Sequence, residues 1–158
     1  MSRRFARLAL TAGLTVAVFA VAASALAGPP ATSGVVGIEV QAQNLTGLRP
    51  DGTTATVQVK AVVQGEDASS LTGEDCRLFG AGGAHGHWPA TGSLVGNLVT
   101  LSGVLTDSNI GWVGTPVELE ANSSTGAITV TIGPISVGPW VGQMVVVDGF
   151  GSVKIRTS

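Results

Sequence analysis

Beyond residue 27, the sequence predicts an all-β fold. We expect a single antiparallel β-sandwich, immunoglobulin-like or jelly-roll-like, of seven to nine short strands, with a small closed β-barrel as the alternative. Three observations support this: apolar and polar residues alternate with period two, 23 Gly and 7 Pro punctuate the chain, and only 11% of residues are charged. Soluble domains average about 25% charged residues. Outer strand faces built from Thr, Ser, Asn and Gln account for this low value.

Residues 1–27 predict a signal peptide, an N-terminal signal helix that precedes the fold. Three arginines lie among the first seven residues, and the uncharged apolar run 8–26 leads to Ala25-Leu26-Ala27, a small-x-small cleavage site. A retained membrane anchor is the alternative, because about 18 apolar residues can span a bilayer. The Gly-Pro-Pro that follows favours cleavage. We therefore expect export to the periplasm or the extracellular space, with no stable membrane span after signal removal.

Residues 28–33 are expected to form a short N-terminal linker, and residues 34–158 a single β-domain. Alternation is clearest in two runs, 36–43 and 54–63. Turn residues separate the runs at three places: 49–52, 96–97 and 122–126. Near the C-terminus, the last two runs, 140–147 and 152–156, are expected to be joined by a turn at 148–151.

The charge balance excludes several classes of partner. Loss of three arginines with the signal leaves five basic residues against ten acidic ones, a net charge of about −5 rather than −2. Five scattered cations cannot neutralise the roughly six to ten phosphates of a nucleic-acid footprint, so we expect no nucleic-acid partner. The sequence also lacks a Gly-x-Ser-x-Gly nucleophile motif and a Gly-rich phosphate loop, so we expect no enzyme.

The segment 66–92 is predicted to be a long loop, because the alternation stops there. Loops longer than about 15 residues are usually functional or disordered. This one contains the only cysteine, Cys76, and both histidines, His85 and His87. With Asp75 they offer sulfur, imidazole and carboxylate ligands, which suit copper or zinc. The alternative is a buried thiol beside solvated histidines, since the spacing matches no standard zinc motif.

The three tryptophans form a second candidate site. Trp88, Trp112 and Trp140 each adjoin Gly or Pro near a predicted strand end. They are expected either to form a ligand-binding platform that stacks on sugars or to close the ends of a core made of small residues.

Together these features predict an exported, non-catalytic β-sandwich that acts as a binding or structural module at or outside the cell envelope. Low charge and strand-rich surfaces favour self-association, so a homo-oligomer or an envelope or extracellular protein is the expected partner. The alternatives are a copper-binding or zinc-binding protein that uses the segment 75–87, and a carbohydrate-binding module.

Overall fold

The computed structural model describes residues 36–138 and 140–158. The predicted signal peptide, 1–27, and the predicted linker, 28–33, lie outside the described residues. The described chain forms one 3-10 helix, Ala81–Gly83, and these strands: β1 Val36–Leu48, β2 Thr54–Gly65, β3 Leu71–Gly80, β4 His85–Val95, β5 Leu98–Val104, β6 Asp107–Ser108, β7 Pro116–Asn122, β8 Ala127–Ile132 and β9 Val145–Thr157. In this part of the chain no helix has the length and apolar character needed to cross a bilayer.

Eight of these strands close into an antiparallel barrel. Each pairs with the next along the chain, with β5 pairing directly to β7, and β9 returns to pair with β1. The short β6 is an extra strand on β4. The predicted all-β class is therefore confirmed, and the architecture is the closed barrel, not the sandwich that we placed first. Closure pairs the first and last strands along most of their length, which leaves no open edge between them.

The barrel interior is the hydrophobic core. In β1 and β2 the alternating residues predicted to share one face are buried, while Glu39 and Lys60 lie on the other face. The largest fully buried side chains are Trp88, Ile38, Leu45, Leu71, Leu101, Leu119, Ile128 and Ile135. Period-two alternation thus separates an apolar inside from a more polar outside, where some large hydrophobic side chains such as Val62 and Phe150 are exposed.

The predicted long loop at 66–92 is wrong, because most of it is β3 and β4. A register shift between Gly73 and Cys76 interrupts the alternation in β3. In β4 two of the inward positions are Gly86 and Gly92, so the inner face does not look apolar in the sequence. A Cβ on Gly92 would collide with the carbonyl oxygen of Thr100 on β5, so the close approach of these strands requires glycine.

The predicted turn at 148–151 is also wrong, since β9 continues through it. Gly149 and Gly151 occupy inward positions of an unbroken strand. A Cβ on Gly149 would press against Leu45, and one on Gly151 against Ile128. Glycine here makes room for neighbouring core side chains and does not reverse the chain.

The connections differ between the two ends of the barrel. One end, the short-loop end, has the connections 66–70, 96–97 and 123–126, together with the start of β1 and the end of β9. The predicted two-residue hairpin at Gly96-Asn97 is confirmed there. The other end, the long-loop end, has the connections 49–53, 81–84, 105–115 and 133–144, where 105–115 includes β6.

Candidate ligand-binding cavity

A cavity of about 510 Å³ opens at the long-loop end of the barrel. Its inner wall is made of residues from several strands and the segments next to them: Ala55, Val57, Leu78, Gly86, Leu105, Ile132 and Val145. Ala55 contributes only a methyl group to this wall, and at Gly86 the Leu105 side chain takes the place that a Cβ would need. This volume lies within the range of about 300 to 1,000 Å³ typical of small-molecule pockets, which often occupy the mouths of β-barrels.

Two tryptophans from different connections meet at the cavity. Trp112 lies in the connection 105–115 and Trp140 in the connection 133–144, and both line the cavity. Their ring centroids are 5.7 Å apart with an interplanar angle of 82°. This edge-to-face arrangement is favourable for aromatic pairs. The contact therefore joins the two longest connections of the described chain beside the cavity.

Hydrogen bonds hold the connection 105–115 in place. The Ser108 hydroxyl oxygen accepts hydrogen bonds from the backbone of Ile110 and Trp112, each at 3.3 Å. The Asn109 side chain accepts from the His85 backbone N–H at 2.8 Å and donates to the Gly83 carbonyl oxygen at 3.0 Å. Asn109 thus ties the connection 105–115 to the neighbouring connection 81–84. The hydrogen bonds of Ser108 and Asn109 together hold the segment that carries Trp112.

The connection 133–144 folds back on itself around Ile135. This side chain is buried in the core, and its backbone N–H donates to the Gln143 carbonyl oxygen at 3.0 Å. The Gln143 N–H donates in turn to the Trp140 carbonyl oxygen at 3.0 Å. A buried anchor and a compact turn therefore position Trp140.

Arg49 supplies a positive charge to this apolar cavity. It follows β1, lines the cavity, and donates from Nη1 to the Thr53 hydroxyl oxygen at 3.2 Å. In the described chain no Asp or Glu lines the cavity. The nearby Asp51 carboxylate accepts hydrogen bonds from the Thr53 hydroxyl and backbone N–H, which lower the pKa of Asp51. The cavity is thus apolar with a cation at its border.

Cys76 lies inside the barrel, apart from the other predicted metal ligands. It is inaccessible to solvent and pairs in register with Trp88, while Asp75, its neighbour in the chain, is exposed on the outside. Desolvation raises the pKa of the Cys76 thiol to about 11. A thiolate is the metal-binding form, and this environment disfavours it.

The two histidines lie on the outer face of β4. The rings of His85 and His87 share one side, as predicted from their spacing, with centroids 6.3 Å apart. Asp75 forms a bidentate pair with Arg77, which lowers the pKa of the carboxyl, and lies 3.3 Å from His87 Nδ1. Within the described residues, no three His, Cys, Asp or Glu side chains are placed to hold a metal ion. Of the predicted copper or zinc ligands, the structure places His87 beside Asp75 and His85 on the outer face and Cys76 inside the barrel.

The three tryptophans do not form one platform. Trp88 is fully buried in the core, where its indole N–H has no hydrogen-bond partner within the described residues. Only Trp112 and Trp140 lie at the cavity. Both were predicted from the sequence as ligand-binding residues, but Arg49 and Asn109 were not, because their importance depends on which connections the closed barrel brings to the same end.

Fold and cavity together define the class: a closed, eight-stranded antiparallel barrel with an apolar cavity at one end. Comparison of the chain with protein-family models, with curated proteins and with solved structures finds no match.

Proposed function

We propose that this chain is an exported, non-catalytic binding protein that holds a small, largely apolar molecule in the cavity at the long-loop end. The observation that carries the proposal is the cavity itself, with a volume of about 510 Å³ and a wall of aliphatic side chains. Eight-stranded barrels are wide enough to enclose one small ligand. Export is proposed from the signal-like residues 1–27 alone.

The construction of the cavity favours binding. Part of its wall, including Val57, Leu78 and Ile132, lies on paired strands, so these residues lose little conformational entropy when a ligand enters. Each Å² of apolar surface removed from water contributes about 25 cal/mol. Trp112 and Trp140 add rigid aromatic surface at low entropic cost.

A neutral, environment-sensitive dye, N-phenyl-1-naphthylamine, tests this proposal. We expect one dye molecule to bind per chain, with a rise in dye fluorescence and a change in tryptophan emission. Ala55→Phe places a ring in the cavity and is expected to weaken binding at least about tenfold, because it occupies the space that the dye needs.

Thr100→Phe is the matched control. It adds the same ring to an exposed position on the outer face of β5, away from the cavity. We expect this variant to bind the dye as the unmodified chain does. Circular dichroism checks that both variants fold. Absence of saturable dye binding by the folded, unmodified chain, or equal binding by both variants, would contradict the proposal.

A further inference from the structure

We infer that the cavity takes an amphipathic organic anion, a monocarboxylate whose apolar body fills the cavity and whose carboxylate pairs with Arg49. This inference rests on the proposed function and names the class of ligand. Its basis is the combination of an apolar wall, an arginine at the border, and no Asp or Glu among the described residues that line the cavity.

Arg49 differs from the other basic residues of the described chain in its surroundings. Arg77 is paired with Asp75, and Arg156 lies 4.0 Å from Glu39. The two lysines, Lys60 and Lys154, are exposed on strands and are not part of the cavity lining.

The Arg49 guanidinium has N–H donors that can form further hydrogen bonds. The side-chain hydrogen bond that the structure shows for it goes from Nη1 to the Thr53 hydroxyl. A guanidinium carries five N–H donors in a planar fork that fits a carboxylate with two parallel hydrogen bonds. The neighbouring Asp51 carboxylate accepts from Thr53, and no salt bridge joins it to Arg49 in the described chain, although the Arg49 charge contributes to the lowered pKa of Asp51. Arg49 can therefore receive a carboxylate without first giving up an ion pair.

The charge of the ligand follows from the same surroundings. A neutral ligand that covered the border would take the guanidinium out of water without a partner for its charge. A cationic ligand would meet Arg49 and find no carboxylate in the described lining. A dianion would leave one charge without an arginine or lysine partner in the described lining, where His85 is the other basic side chain. A single negative charge matches the single arginine.

The position of Arg49 also fits a ligand whose carboxylate is attached to an elongated or flat apolar part. Arg49 is at the border, while Leu105, Ile132 and Val145 line the wall and Trp112 and Trp140 flank it. A carboxylate held at the border would direct the attached apolar part into the barrel. Aliphatic and aromatic bodies are both compatible with this lining.

Competition for the cavity tests the inference. Dodecanoate and dodecan-1-ol have the same chain length and differ in head-group charge, and each is titrated against bound N-phenyl-1-naphthylamine. We expect dodecanoate to displace the dye with at least about tenfold higher affinity than dodecan-1-ol, because a charge-assisted pair forms with Arg49. Arg49→Gln is expected to remove this preference, because dodecanoate then loses its charge-assisted pair while dodecan-1-ol has none to lose.

Lys154→Gln is the matched control, since it removes the same charge from an exposed position outside the cavity. It is expected to keep the preference for dodecanoate. A second measurement needs no variant: the preference should shrink as sodium chloride rises to about 0.5 M, because salt screens the pair. If Arg49→Gln does not fold, the salt dependence of the preference for dodecanoate tests the inference by itself.

The outcomes separate the two proposals. Equal affinity for dodecanoate and dodecan-1-ol, with both displacing the dye, overturns the inference and leaves the binding function intact. A preference that survives in a folded Arg49→Gln variant, or that salt does not weaken, also overturns the inference. If neither the dye nor either compound binds, the proposed function itself fails.

Discussion

The two ends of the barrel are built from the same strands but are filled differently. Toward the short-loop end, inward positions hold large branched side chains such as Ile38, Leu71 and Ile128, all fully buried. Toward the long-loop end, inward positions include Ala55 and Gly86, and a cavity lies between the walls. One pattern of alternation therefore serves two purposes: packing at one end and an accessible apolar space at the other.

The connections also differ between the packed end and the end with the cavity. The short-loop end is connected by tight turns, of which the hairpin at 96–97 has only two residues. The long-loop end carries the connections 105–115 and 133–144, each long enough to present a tryptophan at the cavity. Binding residues on loops positioned by a rigid barrel are a common arrangement. If the two ends differ in stability as they differ in structure, matched substitutions at the two ends should have unequal effects.

The largest expected effect compares two isoleucines on β8. Ile128 is 1% exposed near the short-loop end, and Ile132 is 4% exposed and lines the cavity. Ile128→Ala is expected to lower the free energy of unfolding by about 3–4 kcal/mol, because it opens a new void in packed surroundings. Ile132→Ala is expected to cost only about 2 kcal/mol, because one side of Ile132 already lacks packing partners.

Urea unfolding followed by circular dichroism measures both values under the same conditions. The shared strand and the identical chemical change make the two variants a matched pair. Equal losses of stability would contradict the distinction between a packed end and an open one.

An intermediate effect concerns the thiol in the barrel interior. Burial raises the pKa of Cys76 from 9.0 to about 11, so the folded state keeps its proton at pH values where the unfolded state loses it. Stability is therefore complete below pH 9.0 and falls as the pH rises toward 11, by up to about 2–3 kcal/mol. Urea unfolding at a series of pH values measures this loss.

Cys76→Ala is the control, and it should lose much of the dependence on pH between 9 and 11. The chain contains no tyrosine, so few other side chains titrate in this range. A thiol-specific reagent should also react with the folded chain at pH 8 far more slowly than with the unfolded chain. Rapid modification of the folded protein would show that Cys76 is not enclosed.

Much of the fold could be predicted from the sequence, because period-two alternation reports directly on which residues face a core. The choice between sandwich and barrel could not, since it depends on whether β9 pairs with β1, and residues so far apart leave no local signal. Inward glycines contribute to both errors, at 66–92 and at 148–151. Inward glycines such as Gly92 and Gly151 pack against neighbouring strands, but in the sequence they resemble turns.

The site was less accessible to prediction. The spacing of His85 and His87 correctly indicated a shared face, yet Cys76 is on the opposite face of the barrel wall because a bulge shifts the register of β3. Trp112 and Trp140 were identified by composition, but their contact depends on two connections separated by two strands of the barrel. A cavity is a property of the closed barrel, so no short motif could have revealed it.

The smallest expected effect concerns how the cavity border is held. Asn109→Ala removes two hydrogen bonds that tie the connection 105–115 to residues 83–85, and it is expected to cost about 1 kcal/mol of global stability because both bonds are exposed to water. The local effect should be larger: faster amide hydrogen exchange at His85 and altered emission from Trp112. Dye affinity should fall about threefold, because the loosened connection 105–115 must become ordered when the dye binds, and this ordering costs free energy.

Asn122→Ala is the matched control at the short-loop end, where the Asn122 side chain accepts hydrogen bonds from the backbone of Ser124 and Thr125 at 3.0 and 3.1 Å. It removes a similar set of bonds and should cost a similar amount of global stability. Because it lies at the opposite end, it should leave dye affinity and Trp112 emission unchanged. If both variants weakened dye binding equally, the two ends would be coupled through the strands, and the long-loop end could not be treated as an independently organised binding site.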